Sequence, residues 1–324
     1  MHCASRSCVV AIAATIVASP FAAAQAPTAV HRQRFAMWTV VDIVAYHASR
    51  PDAEAAIAKA LDEVERLDEV LSNYEPDSDI SKLVRDARHK AVEVDTSLFE
   101  IIQKSVDLSR RSGGKFDVTI GPLLKVWKKA KEEERKPTSE EIAAARRCVG
   151  YDKIELTPPN RILIRSDCAE IDVGGIGKGY AVERAMNILK AAGIDNALIN
   201  AGSSSMAGIG APPDGKGWPV RFIENGSGSR SLFLKDTSIA TSEQTGSILD
   251  PSTGNPTSER MTVSVLAPSA TLSDGLSTTL LLMSIEDGKK LLEGYPDVSA
   301  FWIAPGGQLK ASYGESRVSF VEGR

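Results

Sequence analysis

Histidine and cysteine are both scarce in this chain, and each scarcity removes a class of chemistry. The four histidines among 324 residues are His2, His31, His47 and His89, and none lies beyond position 89. A Ser-His-Asp triad, a His-Glu-x-x-His zinc site or a histidine base would therefore have to come from the N-terminal third. The four cysteines, Cys3, Cys8, Cys148 and Cys168, are too few for a disulfide scaffold and form no Cys-x-x-Cys pair. A basic excess is also missing: 38 Lys and Arg stand against 42 Asp and Glu, a net charge of −4. No nucleic-acid partner is expected from that balance. What is present, 43% hydrophobic and 25% charged residues, is ordinary globular composition with enough apolar material for a large core.

The N-terminus has the pattern of a secretory signal peptide. Arg6 precedes an apolar run from Cys8 to Val17, and Ala22-Ala23-Ala24 supplies small residues before Gln25. The run is short for a membrane span, although an uncleaved anchor is the alternative. The expected organisation is a signal peptide over 1–24, a flexible lead-in over 25–35 and one domain over 36–324. No stable membrane insertion is expected after cleavage. Only Cys148 and Cys168 would then remain, either paired in an oxidising compartment or as separate buried thiols.

Hydrophobic periodicity predicts mixed strands and helices, hence an α/β or α+β domain without repeats or an internal linker. Val40 to Ala45 reads as a strand. Asp52 is the expected cap of a helix with Ile57, Leu61, Val64, Leu67 and Leu71 on one face. The stretch Ser72 to Asp79 reads as a turn. Ser97 and Glu100 look like a capping box, and Thr138 and Glu141 open another short helix. A hairpin is expected around Pro158-Pro159-Asn160, a strand over 169–173, a helix from the following glycines through Leu189, a strand over 197–200, another over 261–266, and helices near 272–283 and 284–293.

Four segments carry candidate chemistry. The first is Asp172-Val173-Gly174-Gly175-Ile176-Gly177-Lys178-Gly179-Tyr180. Glycines before a helix let backbone amides approach a phosphate, and Lys178 adds positive charge. It is neither a Walker loop nor a dinucleotide fingerprint, and a tight strand-to-helix turn explains the glycines equally. In the second, Asp274, Ser277 and Thr278 fall at i, i+3 and i+4 and share a helix face. One carboxylate with two hydroxyls suits Mg²⁺, and an ordinary helix N-terminus suits the same residues. The third, Gly114-Lys115-Phe116-Asp117-Val118-Thr119-Ile120-Gly121-Pro122-Leu123, and the fourth, Tyr74-Glu75-Pro76-Asp77-Ser78, could line a ligand or simply turn the chain.

In this order, and together with Met37-Trp38-Thr39, Trp127, Asn200-Ala201-Gly202-Ser203-Ser204, Ile239-Ala240-Thr241-Ser242, Leu249-Asp250-Pro251-Ser252-Thr253-Gly254-Asn255-Pro256 and Val265-Leu266-Ala267-Pro268, these segments resemble the ApbE family of FAD:protein FMN transferases. The resemblance spans roughly residues 37 to 283. It implies an ApbE-like, T-fold-related arrangement of mixed sheets flanked by helices in a single catalytic domain. It further implies export to the bacterial periplasm, binding of FAD with Mg²⁺, and transfer of FMN to a threonine hydroxyl of an acceptor protein with release of AMP. Carried over by position, Met37, Tyr74, Lys115, Phe116, Asp117, Asp172, Lys178 and Leu249 would contact FAD. Asp274, Ser277, Thr278 and the carbonyl of Gly175 would hold the metal, and Lys178 and Asp274 would serve catalysis.

The chain departs from the family pattern where a histidine usually precedes the Asp-Pro-x-Thr-Gly turn, because Ser247 stands there. The segment between Thr241-Ser242 and Ser247 is also shortened, Val84 replaces a frequent Asn, and Glu183 replaces a frequent Asp. Three readings follow: an active FMN transferase, a Mg²⁺-dependent FAD pyrophosphatase yielding FMN and AMP, or a periplasmic FAD-binding protein without catalysis. An exported α/β protein without flavin is a fourth.

Overall fold

The computed structural model describes residues 27–213, 215–225 and 228–321. The segment read as a signal peptide, residues 1–24, lies outside the described residues. Along the chain run β1 (Thr28–Ala36), β2 (Thr39–His47), α1 (Arg50–Leu71), α2 (Asp79–Asp86), β3 (Val92–Glu93), α3 (Thr96–Arg111), α4 (Gly121–Glu132) and α5 (Ser139–Arg146). The hairpin β4 (Ile154–Thr157) and β5 (Arg161–Ile164) follows, then α6 (Gly177–Ala191), β6 (Ala197–Ala201), β7 (Ser205–Ile209), β8 (Trp218–Asn225), β9 (Gly228–Leu234) and β10 (Thr237–Glu243). The last elements are β11 (Thr262–Ala267), α7 (Ala270–Leu281), α8 (Ile285–Leu292), β12 (Ser299–Ala304) and β13 (Gln308–Tyr313).

An eight-stranded sheet in the order β1-β2-β6-β7-β10-β11-β12-β13 organises the described residues, and every neighbouring pair is antiparallel. Side chains alternate between its faces with period two. Val41, Ile43, Ala207, Val263, Val265 and Trp302 point into the main core beneath α1, α6 and α7. Ile239, Leu266, Phe301 and Ile303 point the other way, where the β8–β9 hairpin covers them with Trp218, Leu232 and Leu234. A sheet buried on both faces over its central strands needs apolar residues at successive positions, which β12 supplies and β11 supplies except at Ser264, whose hydroxyl pairs with that of Thr241.

Several local expectations change. Residues 28–36 are an edge strand in full register with β2 and not a flexible lead-in. The polar side chains that suggest a linker are used: Arg32 donates to Glu54 at 2.7 Å, and Arg34 to Asp62 at 2.6 Å and Glu65 at 2.9 Å, all on α1. Ser49, not Asp52, caps α1, with the Asp52 N–H donating to its hydroxyl. Asp95, not Ser97, caps α3 by accepting from the Ser97 and Leu98 N–H groups. Glu100 is thereby free to accept the Tyr180 hydroxyl at 2.8 Å and join α3 to α6. The short helix expected at Thr138 and Glu141 forms as α5, and the two residues make a capping box at its start. Residues 169–173 make no ladder, only an isolated bridge between Ile120 and Glu170 and a bond from Asp172 N–H to Val118 O at 2.7 Å. A helix, α2, stands directly beyond the turn that ends α1. Among the described residues no helix is long and apolar enough to cross a membrane.

Those bonds build a three-segment wall beside the sheet. Residues 117–120 are flanked on one side by 170–172. On the other, Gly150 N–H donates to Thr119 Oγ1 at 2.7 Å and Tyr151 N–H to Asp117 Oδ2 at 3.0 Å. Cys148 and Cys168, whose pairing was open from sequence, form a disulfide that ties the two flanks together across 20 residues. Closing a loop of that length restricts the unfolded chain by about 3 kcal/mol. Replacing both cysteines with serine is therefore expected to lower unfolding stability by about that amount, measured in urea with and without reductant; unchanged stability would show that the clamp is redundant.

Candidate functional site

The site begins at the N-terminus of α6. The chain turns through Gly174 and Gly175, held by a bond from Gly174 N–H to Asp172 Oδ1 at 2.8 Å. No side chain of α6's own N-cap caps the helix. Asp274 of α7 does so from another element, accepting the Gly179 N–H at 2.7 Å. This contact requires glycine, since a Cβ at Gly179 would sit 2.5 Å from the Cβ of Asp274 and overlap the Ala270 carbonyl. A helix N-terminus favours negative charge, and Asp274 occupies it.

Around that junction oxygen atoms accumulate. Thr278 Oγ1 donates to the Gly175 carbonyl at 3.1 Å. Ser242, at the end of β10, lies 2.7 Å from Ser277 Oγ and 3.2 Å from Thr278 Oγ1. Among the described residues no three His, Cys, Asp or Glu side chains converge. A cation here would be held by one carboxylate and neutral oxygens, a donor set that suits Mg²⁺ retaining water or sharing phosphate oxygens. The residues present fit that ion.

A cavity of about 490 Å³ opens beside the junction. Of the residues singled out from sequence, it is lined by Tyr74, Lys115, Phe116, Asp117, Asp172, Gly175, Lys178, Leu249, Asp274 and Thr278. Met37 lies instead in an adjoining hollow of about 260 Å³, which shares Tyr74, Asp172 and Lys178 with the first. Ser277 is fully buried behind the wall and does not line the cavity; its hydroxyl donates to the Asp274 carbonyl. Ser247 does line it, with its hydroxyl 3.2 Å from that of Thr245. At the rim, Trp38 and Tyr74 are 73% and 67% exposed and meet edge to face at 5.4 Å.

Charge is unevenly compensated inside. Burial pushes the Asp274 carboxyl up, against the pull of the Lys178 ammonium and the Gly179 N–H. Burial also raises Asp172, although Gly174 N–H and the Asn73 amide bond to it. It raises Asp117 too, despite bonds from Thr119 and Tyr151. Asp250 goes the other way: burial acts upward, but Lys115 at 2.8 Å and Ser252 hold it below the ordinary aspartate value. Sequence reasoning did not single out Asp250, Asn73 or Ser242. Asp250 and Ser242 stand inside motifs that were recognised, while Asn73 precedes Tyr74 and only the fold shows its partner.

The ApbE family model matches residues 37–302, and the chain belongs to the ApbE family. It is 26% identical over 313 residues to the FAD:protein FMN transferase of Treponema pallidum, covering 87% of this chain and 86% of that protein. Against the FAD:protein FMN transferase of Vibrio cholerae it is 28% identical over 250 residues, covering 71% and 74%. The solved flavin transferase ApbE from Vibrio cholerae superposes with a TM-score of 0.79 at 25% identity, covering 89% of this chain and 97% of that one. The ApbE protein of Thermotoga maritima superposes with a TM-score of 0.75 at 28% identity, covering 87% and 96%.

A glycine substitution at the α6–α7 junction, compared with one just beyond α8, tests the close approach. Gly179→Ala is expected to cost about 1–3 kcal/mol by overpacking. Gly294→Ala, whose Cβ would meet only the Leu291 carbonyl at 3.5 Å, is expected to change stability by less than about 0.5 kcal/mol. Equal effects in a urea titration would show that the close approach at Gly179 carries no special cost.

Proposed function

We propose that this protein transfers FMN from FAD to a threonine hydroxyl of an acceptor protein, with Mg²⁺, releasing AMP. The observation that carries the reading is the meeting of Lys178, the α6 N-terminus and the Asp274–Thr278–Gly175 oxygens in one cavity large enough for part of a dinucleotide. The family relationship supports it independently.

The chemistry follows from charge. The α6 N-terminus and Lys178 favour the FAD pyrophosphate by dipole and by charge. When bound by Asp274, Thr278 and the Gly175 carbonyl, Mg²⁺ supplies Lewis-acid stabilisation of charge on phosphoryl oxygens. Asp172, fixed by Asn73 and Gly174, and Asp117, fixed by Thr119 and Tyr151, keep the inner wall rigid while FAD is held. Tyr74 offers its ring at the rim, with Lys128 Nζ 5.7 Å from the centroid. The acceptor oxygen then displaces AMP at the FMN phosphorus, and Lys178 stabilises the developing charge. No covalent intermediate on this chain is needed. Export to the periplasm belongs to the same reading and is supported by the signal-like residues 1–24 and by a disulfide in the folded domain.

Mature protein incubated with FAD, Mg²⁺ and a threonine-bearing acceptor domain is expected to give covalent flavin fluorescence on the acceptor together with AMP. Free FMN with AMP and no labelled acceptor would favour hydrolysis, and intact bound FAD would favour storage. Lys178→Met is expected to lower turnover by about 10²–10³-fold, and removing the metal with EDTA should abolish it.

A further inference from the structure

We propose that Glu243 takes the proton from the acceptor hydroxyl. The proposal rests on the flavin-transfer reading and supplies a group that reading lacks. A hydroxyl attacking phosphorus must lose its proton, and a positioned base contributes to that loss.

The described histidines stand elsewhere. His31 bonds to Asp42, His47 to Ser49 and His89 to Asp167, and none lines the cavity. Ser247, in the place of the family histidine, offers only a hydroxyl. The carboxylates of the inner wall are already engaged. Asp117 accepts from Thr119 and Tyr151, Asp172 from Gly174 and Asn73, and Asp274 from Gly179 beside the oxygen cluster. Glu243 lines the same cavity, is exposed to solvent, and has no hydrogen-bond or ion-pair partner among the described residues.

Its placement suits the task. β7 pairs with β10 as far as Ser205 opposite Ala240, Thr241 N–H still reaches the Ser204 carbonyl at 2.8 Å, and Ser242 and Glu243 run on beyond as cavity wall. Strand alternation turns Ser242 toward α7, where it meets Ser277 and Thr278. The same alternation turns Glu243 away from α7, to the exposed side of the cavity wall. The next residue fixes the backbone: Gln244 is buried, its amide donates to the Ile248 carbonyl at 2.9 Å and to Thr257 Oγ1 at 3.1 Å, and its Oε1 accepts the Gly246 N–H. Glu243 therefore sits on an anchored strand end, and Ser247 lines the same cavity from the adjoining turn.

The step balances. The acceptor O–H bond breaks and its proton passes to a Glu243 carboxylate oxygen. The acceptor oxygen bonds to the FMN phosphorus, and the phosphorus–oxygen bond to AMP breaks, AMP keeping the electron pair. Glu243, being exposed, then returns the proton to water.

The test uses the full chain with FAD, Mg²⁺ and a threonine-bearing acceptor domain. Glu243→Gln is expected to lower the rate at saturating FAD by about 10²–10⁴-fold, while FAD affinity by fluorescence quenching and the melting temperature stay within error of the parent. Glu243→Gly is expected to regain part of its rate on adding formate, a rescue that a purely structural role cannot produce. Ser247→His in the Glu243→Gln background is expected to regain rate by placing an imidazole in the same cavity. A Glu243→Gln rate within about twofold of the parent overturns the proposal, since a general base is worth far more than that. So does a loss of rate explained wholly by weaker FAD binding, or a Glu243→Gly variant indifferent to formate. A parent chain that binds FAD yet forms neither labelled acceptor nor FMN sinks the transfer reading, and this proposal with it.

Discussion

The bond from Gly179 N–H to the buried carboxylate of Asp274 is the contact around which the rest of the site is arranged. Withdrawing a carboxylate from water costs several kcal/mol unless donors and opposite charge replace the lost solvation. Here the replacement comes from a backbone N–H in the first turn of α6 and from the nearby ammonium of Lys178. The bond can form only because two helices touch without side chains between them, and glycine at 179 is what permits it. α6 and α7 in turn lie on the same face of the sheet, so their approach is set by the strands beneath them.

The sheet contributes in a second way, by ending unevenly. β10 continues past β7, and its last residues bring Ser242 against α7 while leaving Glu243 toward solvent. The opposite wall, residues 117–120 between two flanks joined by the disulfide, is held by hydrogen bonds that place Asp117 and Asp172 side by side along it. The Lys115–Asp250 pair closes the third side, joining two loops separated by 135 residues. Rigid strands and short tied loops thus present polar groups on several sides of one opening.

Local sequence patterns carried much of this and failed in instructive places. Helix faces were legible because apolar spacing repeats, and α1 buries the Ile57–Leu61–Val64–Leu67 stripe as read. Caps were misplaced at α1 and α3, where several residues of suitable chemistry stand within a few positions and only backbone geometry selects Ser49 and Asp95. β1 looked like a tail because an edge strand carries polar side chains on both faces, and its partners on α1 are distant in sequence. The glycine turn before α6 and the Asp274 helix face were visible as motifs, and their convergence came from recognising the family pattern. Neither the pairing of Lys115 with Asp250 nor that of Asn73 with Asp172 has a local signature. Ser277 was grouped with Asp274 and Thr278 by helical spacing, yet the rotation of about 100° between neighbouring helix positions takes its hydroxyl out of the cavity and into contact with Ser242.

At the junction the Asp274 carboxylate and the Lys178 ammonium offset one another. A divalent cation arriving alone, or a diphosphate dianion arriving alone, would place uncompensated charge where water is partly excluded. Arriving together they cancel. On the proposed function, whatever factor the nucleotide adds to the hold on the ion, the ion would add to the hold on the nucleotide, so the two would behave as one neutral ligand, each weakly retained without the other.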